Sequence, residues 1–379
     1  MYIIRQQQGS RRLMNAEQIG RLPTLVMDAL GNEITNGKFA AGDYIGNEPE
    51  LAEKYEVSRT TIRKVIESLE KRKIVRRIAR HGVFLADDYV ALKQQANPEL
   101  VFIRWTDNTL ATEISLGIMS SSLSRNFKIT LVDVKADQAL YLETLKKLPP
   151  TVAGVITFPI DCAEAIEEIN ALIKKGVCVV QVDRLVDGIS APAVTFDNFT
   201  GGMLATQHLF SELKLPVFYF GDHNKPESMS KRFQGWRSVM MEHGYIDYAK
   251  YIIPGFDGDV PSELNQELFN HSELEIFLKA RIGQETAIFA GHDFFALAIY
   301  TVAEKLRMKI REDIFVVGFD DLELCKTLSP KLSSIRVPRR QLGVEAVDLL
   351  NESIQHVTMR PLRKLLPVEL VVRESSRLR

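Results

Sequence analysis

The sequence predicts an α/β protein in two parts: a small N-terminal winged helix-turn-helix of α+β type, then a two-lobed domain with doubly wound parallel sheets. Three observations carry this. A helix, a tight turn, a second helix and a basic β-hairpin can be read between Pro49 and Leu85. After residue 98, apolar runs of strand length alternate with amphipathic runs of helix length, and after residue 196 that alternation begins again. Repeated strand–helix units imply a parallel sheet, and a restart implies a second one.

Length and composition agree. A chain of 379 residues exceeds one ordinary core, and 45% hydrophobic content suits a folded protein. The net charge of −1 hides an asymmetry, because residues 1–88 hold 15 basic and 12 acidic groups. Only that part has a claim on nucleic acid. Cys162, Cys178 and Cys325 are scattered and odd in number, so neither a disulfide framework nor a zinc site is indicated, and no metal or cofactor is expected. No apolar run reaches the ~18 residues of a membrane span, and no signal-peptide segment is seen at the N-terminus. A cytoplasmic protein with no membrane contact is the expectation.

In chain order, residues 1–20 show no period and read as a tail, and residues 21–86 form the winged unit, with its first helix from Leu22 to Asn36. The second helix opens at Glu48-Pro49-Glu50, with Pro near its start and acids in its first turn. In the third, Ile62, Val65, Ile66 and Leu69 fall at i, i+3, i+4 and i+7, one buried stripe, with Ser58 as N-cap. That stripe leaves Arg59, Thr60, Arg63 and Lys64 on the open face, where a helix in a major groove presents its reading side chains. The hairpin from Ile74 to Leu85 has Arg80, His81 and Gly82 at its tip. From Arg59 to Arg80 nine Lys or Arg stand against Glu67 and Glu70, a net +7 over 22 residues.

These residues resemble the GntR family's DNA-binding domain, through Gly37-Lys38-Phe39-Ala40-Ala41-Gly42-Asp43, Glu50-Leu51-Ala52, Val57-Ser58-Arg59-Thr60-Thr61-Ile62-Arg63 and Gly82-Val83-Phe84-Leu85. The resemblance implies DNA contacts from Arg59, Thr60, Thr61 and Arg63 and, at the wing, His81 and Gly82. Two departures stand out: Pro49 replaces the family's usual Arg, and Arg80 its usual wing Gly.

Residues 87–98 are polar and read as a linker. Strands then fall at 100–103, 129–132, 152–158 and 177–182, with helices at 112–123, 139–148 and 163–174, the last opened by the capping-box spacing of Asp161 to Glu164. The second series has strands at 194–196, 217–220, 251–253, 287–290 and 315–319, and helices at 201–213, 230–243, 262–279 and 294–306. Ligands of such folds bind beyond the carboxyl ends of the strands. Those positions hold Asp183-Arg184, Asp293, Asp320-Asp321 and Arg336, with Arg232 opening a helix. Together they give the charged donors and acceptors that a polyol needs.

From residue 99 to the C-terminal region the chain resembles the LacI/GalR effector domain, a relative of periplasmic sugar-binding proteins. The carrying segments include Val180-Gln181-Val182-Asp183-Arg184, Arg232-Phe233-Gln234-Gly235-Trp236 and Val316-Val317-Gly318-Phe319-Asp320-Asp321. The resemblance implies effector contacts at Asn108, Asp183, Arg184, Arg232, Phe256, Asp293, Asp320 and Arg336, and chain crossings between lobes near Asp197, Asp320 and Pro361. It puts residues 99–196 and 322–358 in the first lobe, 197–321 and 359–379 in the second. Where sugar binders of this kind often carry Asn before the Asp, this chain has His292, added here to the effector set; Leu110 and Ala111 replace two usual aromatics, with Trp105 as the substitute platform.

The expected protein is therefore a one-component bacterial regulator, a homodimer binding operator DNA and controlled by a small molecule, most simply a monosaccharide. A purine, sugar acid or sugar phosphate is the alternative effector, since Arg184, Arg232 and Arg336 suit an anion. An enzyme is disfavoured, because glycine-rich phosphate loops and placed Ser/His/Asp sets are missing from the sequence.

Overall fold

The computed structural model describes residues 3–5, 11–13, 16–35, 38–71, 74–79, 81–87, 98–105, 109–149, 151–224, 226–254, 272–355 and 362–378. Strands β1 (Ile3–Arg5) and β2 (Arg11–Leu13) pair antiparallel, where a tail was expected. Three residues are too few for an alternation to show in sequence. Helix α1 (Ala16–Thr35) begins six residues before Leu22 and holds Pro23 inside it.

The winged unit is built around one core. In α1, Leu22, Val26, Met27, Leu30 and Ile34 are buried along one stripe. After β3 (Tyr44–Gly46), helix α2 (Glu48–Lys54) is opened by a capping box between Asn47 and Glu50. Glu56 takes a positive φ of 51° and turns the chain into α3 (Arg59–Lys71). There Ser58 Oγ accepts the Thr61 N–H at 3.1 Å, and the stripe of Ile62, Val65, Ile66 and Leu69 is buried. Strands β4 (Val75–Ile78) and β5 (Gly82–Leu85) form the hairpin, and the sheet order is β3-β5-β4. Gly82 has φ +109°, and a Cβ there would lie 2.6 Å from the Tyr44 ring, so turn and close approach both require glycine.

The first lobe holds β6 (Glu99–Arg104), α4 (Thr109–Ser124), β7 (Lys128–Asp133), α5 (Gln138–Lys146), β8 (Val152–Thr157), α6 (Ala163–Lys174), β9 (Cys178–Asp183) and β10 (Ala193–Phe196). The cap position of α6 is Cys162, one residue after the expected Asp161, and its side chain makes no cap hydrogen bond. The second lobe holds α7 (Asn198–Leu213), β11 (Val217–Phe220), α8 (Glu227–Glu242), α9 (Ser272–Lys279), β12 (Thr286–Ala290), α10 (Asp293–Lys305), β13 (Ile314–Asp320), the short α11 (Leu324–Thr327) and β14 (Ser333–Arg336). Residues 251–253, expected as a strand, hold the end of a 3-10 turn and a single bridge from Ile252 to Tyr219. Helix α12 (Arg339–Gln355) returns to the first lobe, β15 (Arg363–Leu366) joins its sheet, and β16 (Glu369–Val371) joins the other.

The sheet orders are β15-β10-β9-β8-β6-β7, all parallel, and β11-β12-β13-β14-β16, parallel except for β16. The chain crosses between lobes at residues 196–198, 336–339 and 366–369. The first crossing matches the expectation near Asp197. The others differ from those near Asp320 and Pro361, and with them the lobe bounds: β14 pairs with β13, so residues 333–336 belong to the second lobe, and β15 pairs with β10, so residues 363–366 belong to the first. Backbone hydrogen bonding decides membership here, and a resemblance in sequence does not report it.

Each lobe has a helix crossing made by two glycines. Gly117 of α4 meets Gly343 of α12, and Gly202 of α7 meets Gly235 of α8, at about van der Waals contact of the backbones. A Cβ on Gly202 would lie 2.1 Å from the Arg232 carbonyl oxygen, an atom that cannot swing away. Gly202→Ala should therefore push α8 off α7 and lower the stability of this domain by about 1–3 kcal/mol, as overpacking does. Thermal or urea unfolding beside wild type checks this; an unchanged transition would mean that the crossing is not tight.

Candidate functional site

The glycine crossing sets the centre of the cleft. By seating α8 on the first turn of α7, it brings Arg232 Nε to Asn198 Oδ1 at 2.9 Å. From there the guanidinium reaches the end of β13, where Nη1 and Nη2 donate to Asp320 Oδ2 and Oδ1, each at 3.1 Å. Nη1 also donates to the Gly291 carbonyl at 2.8 Å, after β12, and the guanidinium lies 3.7 Å from the Phe319 ring centroid. Arg232 is 4% exposed and Asp320 2%, so both charges have left water and each depends on the other.

His292 completes the cluster. Its Nδ1 accepts the Phe294 N–H at 3.1 Å, so the proton sits on Nε2, which is 3.1 Å from Asp320 Oδ2. Burial, with Arg232 and Arg339 nearby, pushes the imidazole down to about 4 against the pull of Asp320, so the ring is neutral. Burial pushes the Asp320 carboxyl up, but Arg232, His292 and Arg339 outweigh it and hold the group below its ordinary range. Facing this from the first lobe, Asp183 ends β9 with φ +70° and is 6% exposed. Burial raises its carboxyl while Arg184 and Arg232 oppose, and Arg184 Nε stands 3.5 Å from its Oδ2. Asp183, Arg184, Arg232, His292 and Asp320 are thus brought together from both lobes.

Two expected members stand elsewhere. Asp293 is fully buried and turned into the second lobe: Oδ2 accepts the Leu322 N–H at 2.8 Å and Oδ1 the Ser334 hydroxyl at 2.7 Å. It fixes the turn after β13, and the group beside the cleft is the preceding residue, His292. Arg336 lies at a crossing between lobes, bound through Nε to Asp321 at 2.7 Å and Nη1 to Glu369 at 2.8 Å. Both partners lie on the second-lobe side of that crossing. Asn108 and Phe256 lie outside the described residues. Trp105 packs edge-on against Tyr141 at 6.3 Å. The sequence reading missed Asn198, the partner of Arg232, and Arg339, whose Nη2 donates to the Asp320 carbonyl and whose Nε is buried without a hydrogen-bond partner among the described residues. Each stands within three residues of a strand's carboxyl end, and that is the signal that could have found them.

The second surface is on the winged unit. Arg59, Thr60, Arg63 and Lys64 are exposed along α3. Thr61 is half-buried, its hydroxyl 2.9 Å from Ser58 Oγ at the helix start. Arg63 is held by Glu48 of α2, with Nη2 at 3.0 Å from Oε2. At the wing, exposed His81 has Nδ1 3.0 Å from the Ala79 carbonyl, and Gly82 follows; Arg80 lies outside the described residues.

The adjacent His292 and Asp293 should oppose each other in stability against pH. His292 falls from 6.5 to about 4 on folding, so its contribution is present above pH 6.5 and lost as pH falls through about 4. Asp293 rises from 3.8 to about 7, chiefly through burial and then Asp320, so its contribution is present below pH 3.8 and lost as pH rises through about 7. Between those limits the slopes cancel. His292→Asn should expose a stability that falls with rising pH, and Asp293→Asn one that falls with acid. Melting temperatures across that range check both; slopes of the same sign would refute the pairing.

Among the described residues no helix is long and apolar enough to cross a membrane, and no group of three metal-ligating side chains occurs. Compared with known proteins, residues 24–85 match the bacterial regulatory proteins of the gntR family and residues 207–376 the periplasmic binding protein-like domain. The arabinose metabolism transcriptional repressor of Geobacillus stearothermophilus is 23% identical over 359 residues, 91% of this chain and 94% of that one. The HTH-type transcriptional repressor PurR of Photobacterium profundum is 30% identical over 175 residues, 46% of this chain and half of that protein's length. A LacI family regulator from Enterococcus faecium, solved with bound ribose, superposes with a TM-score of 0.59 at 23% identity, covering 73% of this chain and 98% of that one. The two units are accounted for: the chain is a transcription regulator, not an enzyme, in which a GntR-type winged helix-turn-helix is fused to a LacI/GalR-type, periplasmic-binding-protein-like domain.

Proposed function

We propose that this regulator is a one-component bacterial repressor, working in the cytoplasm as a homodimer, that binds operator DNA through α3 and the wing and is controlled by a small sugar between its lobes. The observation that carries the sugar reading is the cluster of Arg232, Asp320 and His292 opposite Asp183 and Arg184: buried donors and acceptors at strand ends, of the kind that hydroxyl groups satisfy. The arabinose repressor and the ribose-bound neighbour support it. On α4, Leu116, Met119 and Leu123 are exposed at i, i+3 and i+7, an apolar stripe suited to a symmetric contact between copies. By the family resemblance, Asn108 and Phe256 belong to the proposed effector set as well.

Control follows from linkage. A ligand that touches Asp183 in one lobe and Asp320 in the other binds best where the lobes approach, and it shifts DNA affinity only by its differential affinity for that state. One observation favours an acidic effector, a sugar acid or sugar phosphate, as a second reading: the buried Arg339 Nε has no hydrogen-bond partner among the described residues.

A thermal-shift screen of pentoses, hexoses, sugar acids, sugar phosphates and purines should identify the effector. Asp320→Asn should then weaken it by about 1–3 kcal/mol, because Arg232 and His292 lose their anion. DNA binding without effector should persist, and the effector's influence on it should vanish at the wild-type concentration. A normal response by the variant would remove Asp320 from the site; conversion of the compound to product would overturn the regulator reading of the cleft.

A further inference from the structure

The DNA-reading surface contains a carboxylate that its basic character does not explain. Glu48, on the first turn of α2, lies among three arginines from two other elements. Its Oε2 is 3.0 Å from Arg63 Nη2 and 3.3 Å from Arg63 Nε on α3, and its Oε1 is 3.5 Å from Arg77 Nη1 on β4. Arg59 also lies within its field. Arg77 is held from its other side by Glu70, with Nε 3.3 Å from Oε2. One side chain therefore joins the second helix, the recognition helix and the wing strand.

We propose that Glu48 is a specificity-determining positioning residue of the DNA interface, an internal counter-ion that fixes Arg63 and Arg77 relative to each other; this rests on the reading of α3 as the groove-facing helix. A free arginine on an exposed helix samples many rotamers. Nearly all of them suit a phosphate, whereas a base edge accepts only a narrow set of directions. Arg63 uses Nε and Nη2 on Glu48, so its plane and reach are set before DNA arrives, and Nη1 is left without a hydrogen bond to any described residue. The carboxylate also neutralises charge that would otherwise attract any phosphate. Glu48 thus trades general affinity for discrimination.

The test uses the full-length protein with two probes: a duplex selected from a randomised pool by wild type, and poly(dI-dC). Glu48→Gln should bind poly(dI-dC) more tightly, steepen its salt dependence by about one unit as one more cation becomes free for phosphate, and lower the ratio of selected to non-selected affinity about tenfold, within the range of one bidentate base contact. Glu48→Asp keeps the charge but is one methylene too short, so it should lower the ratio without moving the salt slope. In an Arg63→Ala background neither change should alter the ratio further. The proposal is overturned if Glu48→Gln leaves the ratio intact while Arg63→Ala lowers it, or if it lowers the ratio equally in both backgrounds. It is also overturned if both affinities fall together with the melting temperature, the mark of a merely structural role. If Arg63→Ala itself leaves the selected duplex bound as tightly as before, the groove-facing reading of α3 fails, and the proposal with it.

Discussion

The effector domain depends on one buried ion pair, Arg232 with Asp320. Neither charge is tolerable alone away from water, where losing one partner of such a pair costs about 3–5 kcal/mol. Much of the local architecture serves the pair. Two glycines let α8 approach α7, Asn198 takes the guanidinium's third direction, Phe319 supports its face, and His292 supplies a neutral N–H in place of a competing cation. Asp320 adopts φ +103° to turn its carboxylate inward, a conformation that an L-residue adopts only under constraint. Across from this pair stand Asp183 and Arg184, the charged groups at the end of β9 in the other lobe.

How much of this was legible in the sequence follows from what periodicity can and cannot report. Strand 217–220 and helix 163–174 are where apolar spacing puts them, because their burial is one-sided or continuous and long enough to count. The buried stripe of α3 was legible for the same reason. Lobe membership of the last strands was not, since β14 (Ser333-Ser334-Ile335-Arg336) and β15 (Arg363-Lys364-Leu365-Leu366) are four-residue segments too short and too polar to carry a pattern, and only hydrogen bonding assigns each to a sheet. The cleft was half legible. Position at a strand's end found Asp183 and Asp320, and the expected start of a helix found Arg232, but neither could separate His292 from Asp293, neighbours whose side chains leave the backbone in different directions.

Arg336 shows the same limit. Its place after a strand made it look like a ligand group, yet residues 336–339 are also where the chain changes lobes. Asp321, Glu369 and Arg373 gather there, with Arg373 Nη2 at 2.6 Å from Asp321 Oδ1. Charged groups at a strand end serve binding or articulation, and the residue type alone does not distinguish the two.

The order in which the chain leaves the ribosome acquires meaning from the exchange of β15 and β16. Neither lobe is a continuous piece of sequence, and each sheet waits for a strand that follows residue 362. The winged unit, by contrast, has its own core within residues 26–85. It can fold while the sensor is still being synthesised. A product truncated before β15 would therefore keep the part that grips DNA and lose the part that listens, so that premature termination late in the gene gives a deaf regulator in place of an absent one.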